Sequence, residues 1–233
     1  MLAQMLKPNS NIIEVGANIG AHSVFLARDV CPNGVLYCFE PRRIIFQLLC
    51  ANIAINGLEN VFTYQVGAGS KREATFEGSV PTQTHTNMGA YSIGAIPGMD
   101  ERIEIMPLDE MIADFKTVSL LKADVEGYEL EVLLGAEALI RRDRPLLYLE
   151  NDRAEKSRDL ISHVLDLEYD LWWHIVRLYR QDNMTNTKAN IFGNVASFNI
   201  ICIPKEKRAT INGLKQITSP DDSLFSKKLS PPA

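Results

Sequence analysis

Two apolar runs near the N-terminus, each ending in its own kind of polar group, constrain this chain more than any other feature. Residues 11–20 read Asn-Ile-Ile-Glu-Val-Gly-Ala-Asn-Ile-Gly. Ile12, Ile13 and Val15 read as a buried strand, and Gly16 and Gly20 bracket a tight turn. From Ile19 to Val30, Val24, Phe25 and Ala27 recur at helix spacing. A second apolar run, Val35 to Phe39, then ends at Glu40-Pro41. A glycine turn lets backbone approach a ligand, and an acid at the end of the next strand, about twenty residues on, accepts from ribose hydroxyls. Parts in that order suit a nucleoside cofactor.

The same alternation continues along the chain. Ile44 to Ile55 reads as a helix with Ile45, Leu48, Leu49 and Asn52 on one side, closed by Asn56-Gly57. Val61 to Val66 reads as a strand, followed by a glycine-rich turn at Gly67-Ala68-Gly69-Ser70. Shorter strands are expected at 71–77 and 102–106, with a short helix at 108–113. Val118 to Ala123 is a further buried strand that delivers Asp124-Val125-Glu126-Gly127, and a helix is expected from Tyr128 to about Leu139. A strand at 145–149, a helix at 155–166 and an antiparallel strand pair at 169–176 and 197–203 complete the pattern. Strands alternating with helices imply an α/β fold with a doubly wound, mostly parallel seven-strand sheet and an antiparallel C-terminal pair. Residues 1–204 are expected to form one domain, with polar loops at 78–100 and 177–194 on the acceptor side, and residues 205–233 a tail.

Composition sets limits. Hydrophobic residues make up 46% of the 233, enough for a sizeable core, and the net charge is −5. That balance argues against a nucleic-acid face. The charge is uneven: residues 205–233 carry six Lys/Arg against three Asp/Glu, which leaves 1–204 at −8. The four cysteines, Cys31, Cys38, Cys50 and Cys202, lack metal or redox spacing and suit a reducing compartment. No apolar run approaches the length of a membrane span, and the first eight residues are too short and too polar for a signal peptide. A cytoplasmic protein with no membrane partner is the expectation.

Gly16–Gly20, Glu40, Gly67–Ser70, Asp124–Glu126 and Glu150 each sit just after an apolar run. In a parallel α/β sheet these positions share the carboxyl edge of the strands, where ligands bind. The first turn is Gly16-x-x-x-Gly20, not the G-x-G-x-x-G of dinucleotide sites. One glycine fewer, with Glu14 just before the turn, suits a ligand without phosphate and welcomes a cationic one. S-adenosylmethionine is such a ligand. The candidate cofactor residues are Glu14, Gly16, Ala17, Asn18, Gly20, Glu40, Pro41, Gly67, Ala68 and Asp124.

Three stretches are similar to the FkbM family of S-adenosylmethionine-dependent methyltransferases. They are Glu14-Val15-Gly16-Ala17-Asn18-Ile19-Gly20, then Phe39-Glu40-Pro41 with Asn52, then Leu121-Lys122-Ala123-Asp124-Val125-Glu126-Gly127-Tyr128-Glu129. Leu108-Asp109, Val132 to Ala136 with Pro145 and Glu150, and the closing Ser197 to Pro204 extend the likeness over roughly residues 10–204. Glu14 is a departure, since many members carry Asp there. The resemblance implies a seven-strand methyltransferase fold and methyl transfer, usually to a hydroxyl of a sugar, polyketide or related metabolite. It does not carry over the acceptor.

Methyl transfer to oxygen needs a base for the hydroxyl proton. Asp124 and Glu126, two apart at a strand end, share a side and oppose each other's ionisation, which suits one of them to that task. They equally suit orienting the acceptor or holding a divalent ion, although no metal-ligand spacing points to a metal. Glu126 also fits a helix-capping role before Tyr128. His85, in the 78–100 loop, is a third candidate for base or acceptor contact, and Asn183 and Asn186 are candidate acceptor contacts in the second loop. The expected partner is a small-molecule or glycan acceptor. Three alternatives remain open: an N- or carboxyl-methyltransferase on the same fold, a nucleotide-sugar or NAD enzyme, and a non-catalytic cofactor-binding module.

Overall fold

The computed structural model describes residues 2–80, 91–183 and 186–224. His85 lies outside them, as do parts of both expected acceptor-side loops. The chain divides into two compact units, Met1–Tyr148 and Leu149–Ala233, where the sequence suggested one domain ending at residue 204.

The first unit begins with α1 (Leu2–Met5) and β1 (Asn11–Val15). Helix α2 (Ala21–Phe25) continues as a π-helical turn over Leu26–Val30. Strand β2 (Leu36–Phe39), α3 (Arg43–Ile55) and β3 (Val61–Tyr64) follow. Strands β1, β2 and β3 pair in parallel in that order, and each connection is long enough for a helical crossover. Helix α3 buries Ile45, Leu49 and Ile53 at four-residue spacing, whereas Leu48, expected on that side, is exposed. Glu101 accepts from the Arg43 N–H and so caps α3 from a distant strand.

A smaller sheet comes next: β4 (Gly67–Ala68), β5 (Glu73–Glu77) and β6 (Glu101–Met106), in the order β4-β6-β5. The turn expected at 67–70 is therefore partly a strand. Gly67 and Ala68 pair in parallel with Ile105 and Met106, and the Gly69 N–H reaches the Met106 carbonyl.

Strand β7 (Val118–Ala123) returns to the far side of β1 and pairs with it in parallel. The order β7-β1-β2-β3 makes the gap between β1 and β7 the point where winding reverses, the crevice in which α/β sheets hold ligands. The helix expected over 128–139 is two, α4 (Glu129–Leu134) and α5 (Glu137–Asp143). Gly135 stands at the break. A Cβ on Gly135 would stand 1.9 Å from the Gly69 carbonyl oxygen, so glycine is needed where the chain touches β4's exit. The Asp109 carboxylate then accepts from Ala138 and Leu139 N–H and starts α5 afresh.

Strand β8 (Leu146–Glu150) runs across the boundary of the units. The second unit holds α6 (Ala154–Asp166), β9 (Tyr169–Arg177), β10 (Ala196–Pro204) and β11 (Gln216–Ile217). Strands β9 and β10 form the expected antiparallel pair, from Tyr169↔Pro204 to Arg177↔Ala196. The expected tail is corrected over its described part. Residues Gln216 and Ile217 add a strand to β9, and Ser223 Oγ meets Ser157 Oγ of α6 at 2.9 Å. Ile217 is buried, and that apolar anchor is what the polar composition of the segment concealed. Asn183 donates to the carbonyls of Arg180 and Thr187, so its amide closes its own loop. No described helix is long and apolar enough to cross a membrane.

Candidate functional site

The first wall of the site is backbone. Gly16 has φ +79°, and a Cβ there would lie 2.0 Å from the Asp124 carbonyl oxygen. Only glycine permits both that dihedral and that approach. The N–H groups of Gly16 and Ala17 both donate to the Phe39 carbonyl, and the Asp124 N–H donates to Val15. These bonds strap the ends of β1, β2 and β7 together. Asn18, at φ +50°, turns its side chain to accept from the Ile19 N–H, and Asn52 of α3 donates to the Ile19 carbonyl at 2.6 Å.

The second wall is Glu40. One carboxylate oxygen accepts from the Asn18 N–H at 3.1 Å and the other from the Arg42 N–H at 3.0 Å. Burial nonetheless pushes its carboxyl above the ordinary value, against those donors. Arg42 beside it is buried and paired with Glu77, Nε to Oε1 at 2.7 Å and Nη2 to Oε2 at 3.3 Å. Its other donors hold the carbonyls of Tyr91 and Ser92, and Glu77 also accepts from the Gly94 N–H. The segment from Tyr91 to Gly94 is thereby pinned over the site.

The third wall is the turn after β7. Glu126 and Gly127 have φ of +56° and +92°, two successive residues in the left-handed region. For a non-glycine residue that conformation is costly and persists only where surroundings enforce it. Glu129 is the enforcer: its buried carboxylate accepts from Val125 N–H at 3.0 Å and Gly127 N–H at 3.2 Å. Burial pushes its carboxyl up to about 7 despite those donors. Ser92 Oγ donates to the Glu126 carbonyl, which joins this turn to the pinned segment.

These walls enclose a cavity of about 440 Å³. Gly16, Ala17, Asn18, Glu40, Pro41, Gly67, Ala68, Asp124 and Glu126 all line it, so nine residues singled out from the sequence are brought together. Two are not. Gly20 is the left-handed N-cap of α2 and packs against Leu49. Glu14 is corrected from cavity to floor: it is fully buried, accepts from Ser23 Oγ at 2.6 Å and pairs with Lys122 Nζ at 3.2 Å. Its register opposite Lys122, on a buried face of β1, is the reason.

Sequence reasoning missed Tyr91, Ile93, Tyr128, Arg42 and His22 as lining residues. Burial, and then the positive charge of Lys122, lower the affinity of the His22 imidazole for its proton. Lys122, inside an otherwise apolar run and two residues before Asp124, was the one legible signal among the unassigned groups. The four cysteines are free thiols, and burial raises the thiol pKa of Cys31, Cys38 and Cys202.

Known proteins resemble this chain in sequence and fold. The chain is 27% identical over 168 residues to Methyltransferase sdnD of Sordaria araneosa, covering 57% of this chain and 62% of that protein. It is 27% identical over 150 residues to Methyltransferase 1 of Beauveria bassiana, covering 55% and 59%. It thus spans about three-fifths of the length of these relatives. Among solved structures, a methyltransferase FkbM from Methylobacillus flagellatus superposes with TM-score 0.56 at 20% identity, covering 85% of this chain and 45% of that one. A precorrin-6y C5,15-methyltransferase from Geobacter metallireducens gives TM-score 0.57 at 13% identity, covering 87% and 85%. The fold is therefore that of the class I methyltransferases. The Methyltransferase FkbM domain matches residues 14–171, and the chain belongs to that family.

Proposed function

We propose that the chain is an S-adenosylmethionine-dependent methyltransferase that methylates a hydroxyl of a carbohydrate or secondary metabolite. The observation that carries this reading is the charge of the cavity. Glu40, Asp124 and Glu126 line it, and the lining guanidinium, Arg42, is already bound to Glu77. Among the described lining residues a phosphate-bearing dinucleotide finds no uncommitted arginine or lysine, whereas a nucleoside that carries ammonium and sulfonium groups meets carboxylates. The cofactor fits the residues present. Glu40 lines the cavity and is held by two backbone N–H groups, which leaves its carboxylate further acceptor capacity for ribose hydroxyls, and Phe39, Ile45 and Ile93 supply apolar walls for a base.

When bound, the cofactor supplies an electrophilic methyl carbon on a positively charged sulfur. The acceptor oxygen must sit about 3 Å from that carbon, in line with the bond that breaks. Asp124 and Glu126 stand where they can orient the hydroxyl and take its proton as the ether bond forms. The pinned segment at Tyr91–Gly94 contributes Tyr91 and Ile93 to the cavity lining. The acceptor in this reading is a small molecule or glycan, and the free, core-filling cysteines fit a reducing, cytoplasmic setting.

Calorimetry with S-adenosylhomocysteine and with NAD tests the reading. Binding of the first and not the second is the expected result. NAD binding without S-adenosylhomocysteine binding would overturn it.

A further inference from the structure

Lysine is costly in the middle of a buried strand, yet Lys122 is 2% exposed between Leu121 and Ala123 of β7. Its register partner on β1 is Glu14, whose partner on β2 is Cys38. Directly opposed residues of paired strands share a face, and the ammonium and carboxylate meet there at 3.2 Å. Asp124, two residues further on, falls on the same face, with Oδ2 3.3 Å from Lys122 Nζ. Ser23 of α2 donates to Glu14 from above. A continuous set of polar contacts thus runs from α2 through Glu14 and Lys122 to Asp124.

Stability does not explain such an arrangement. The cost of removing two charges from water roughly cancels their attraction, and apolar replacements of similar volume are often as stable. The set has another property: its members differ in access. The side chains of Glu14 and Lys122 are 1% and 3% exposed, while that of Asp124 is 34% exposed and lines the cavity. Burial favours loss of the lysine proton, but the two carboxylates outweigh it and keep the ammonium charged. Of the three groups, one surfaces where a ligand binds, and the other two are placed to hold it.

We propose that Lys122 is a positioning residue that fixes the Asp124 carboxylate toward the bound cofactor, with Glu14 fixing Lys122 in turn. The proposal rests on the reading of the cavity as an S-adenosylmethionine site. It gives Glu14 an indirect role, two contacts away from the ligand.

The test is a cycle of variants read by S-adenosylhomocysteine calorimetry and thermal melting. Glu14→Gln with Lys122→Met removes both buried charges together, so no unpaired charge is left in the core. This double variant is expected to melt within a few degrees of wild type yet bind S-adenosylhomocysteine about tenfold more weakly. Asp124→Asn alone is expected to weaken binding by a similar factor, and the triple variant to bind no worse than Asp124→Asn. A double variant with wild-type affinity would reduce Lys122 to a counter-ion for Glu14 and overturn the proposal. So would a triple variant in which the two losses multiply, because the residues would then act independently. Should the double variant not fold, Glu14→Gln with Lys122→Leu, which likewise removes both buried charges, carries the same comparison. Wild-type protein that binds no S-adenosylhomocysteine would instead overturn the cofactor reading itself.

Discussion

Arg42–Glu77 and Glu14–Lys122 are both ion pairs of the first unit with nearly buried side chains, and they hold different things in place. Glu14 and Lys122 are register partners on adjacent strands, so the sheet itself brings them together. Their contacts end on one side chain, Asp124. Arg42 precedes α3 and Glu77 ends β5 of the smaller sheet, so no strand register brings them together. Their spare donors and acceptors end on backbone, at Tyr91, Ser92 and Gly94. A buried pair built into a sheet can aim a carboxylate, whereas one built between sheets can pin a loop. The cavity needs both, since its floor is regular structure and its cover is not.

The largest effect should come from breaking the pinning pair. Arg42→Met leaves Glu77 buried without its partner and frees two carbonyls, so unfolding stability should fall by about 3–5 kcal/mol in urea titrations. A loss under about 1 kcal/mol would show that the clamp is not a structural element.

The turn that follows β7 sharpens the floor side of the comparison through pH. Burial raises the Glu129 carboxyl from 4.5 to about 7, so the folded state favours its protonated form. Its contribution to stability is complete below about pH 4.5 and is lost as pH rises through 7. Glu129→Gln still accepts the Val125 and Gly127 N–H bonds but cannot ionise. Relative to wild type it should gain stability between pH 4.5 and 8, by about 3 kcal/mol at the upper end. Urea midpoints across that range check it, and a constant difference between the two proteins would count against it.

Glu40 lies between the two regions, bonded to the Asn18 and Arg42 N–H groups. Glu40→Ala should weaken S-adenosylhomocysteine binding by about 1–3 kcal/mol, and calorimetry showing unchanged affinity would place the ribose elsewhere. The smallest effect belongs to a site remote from both pairs. Asp109→Ala removes the cap on α5 and should cost about 1 kcal/mol of stability while leaving S-adenosylhomocysteine affinity unaltered.

Much of the floor was legible. Gly16, Ala17, Asn18, Glu40 and Asp124 stand after apolar runs, and a parallel sheet necessarily places such positions on one edge. The cover was not. Tyr91 and Ile93 belong to a stretch without periodicity, and nothing local in Arg42 or Glu77 announces the other. Glu14 was misplaced for a related reason: as a charge beside a glycine turn it reads as a ligand group, and only the register with Lys122 shows that it faces inward. The break at Gly135 was hidden because helix spacing continues through it, and the carbonyl that requires glycine there comes from another element.

The sequence by itself determined the order of strands and helices, the glycine turn and the carboxylates at strand ends, since these depend on periodicity and on steric rules that act over a few residues. Tertiary structure alone decided which carboxylates reach the cavity and which serve beneath it. That choice depends on strand register and on desolvation, and both come from neighbours far away along the chain.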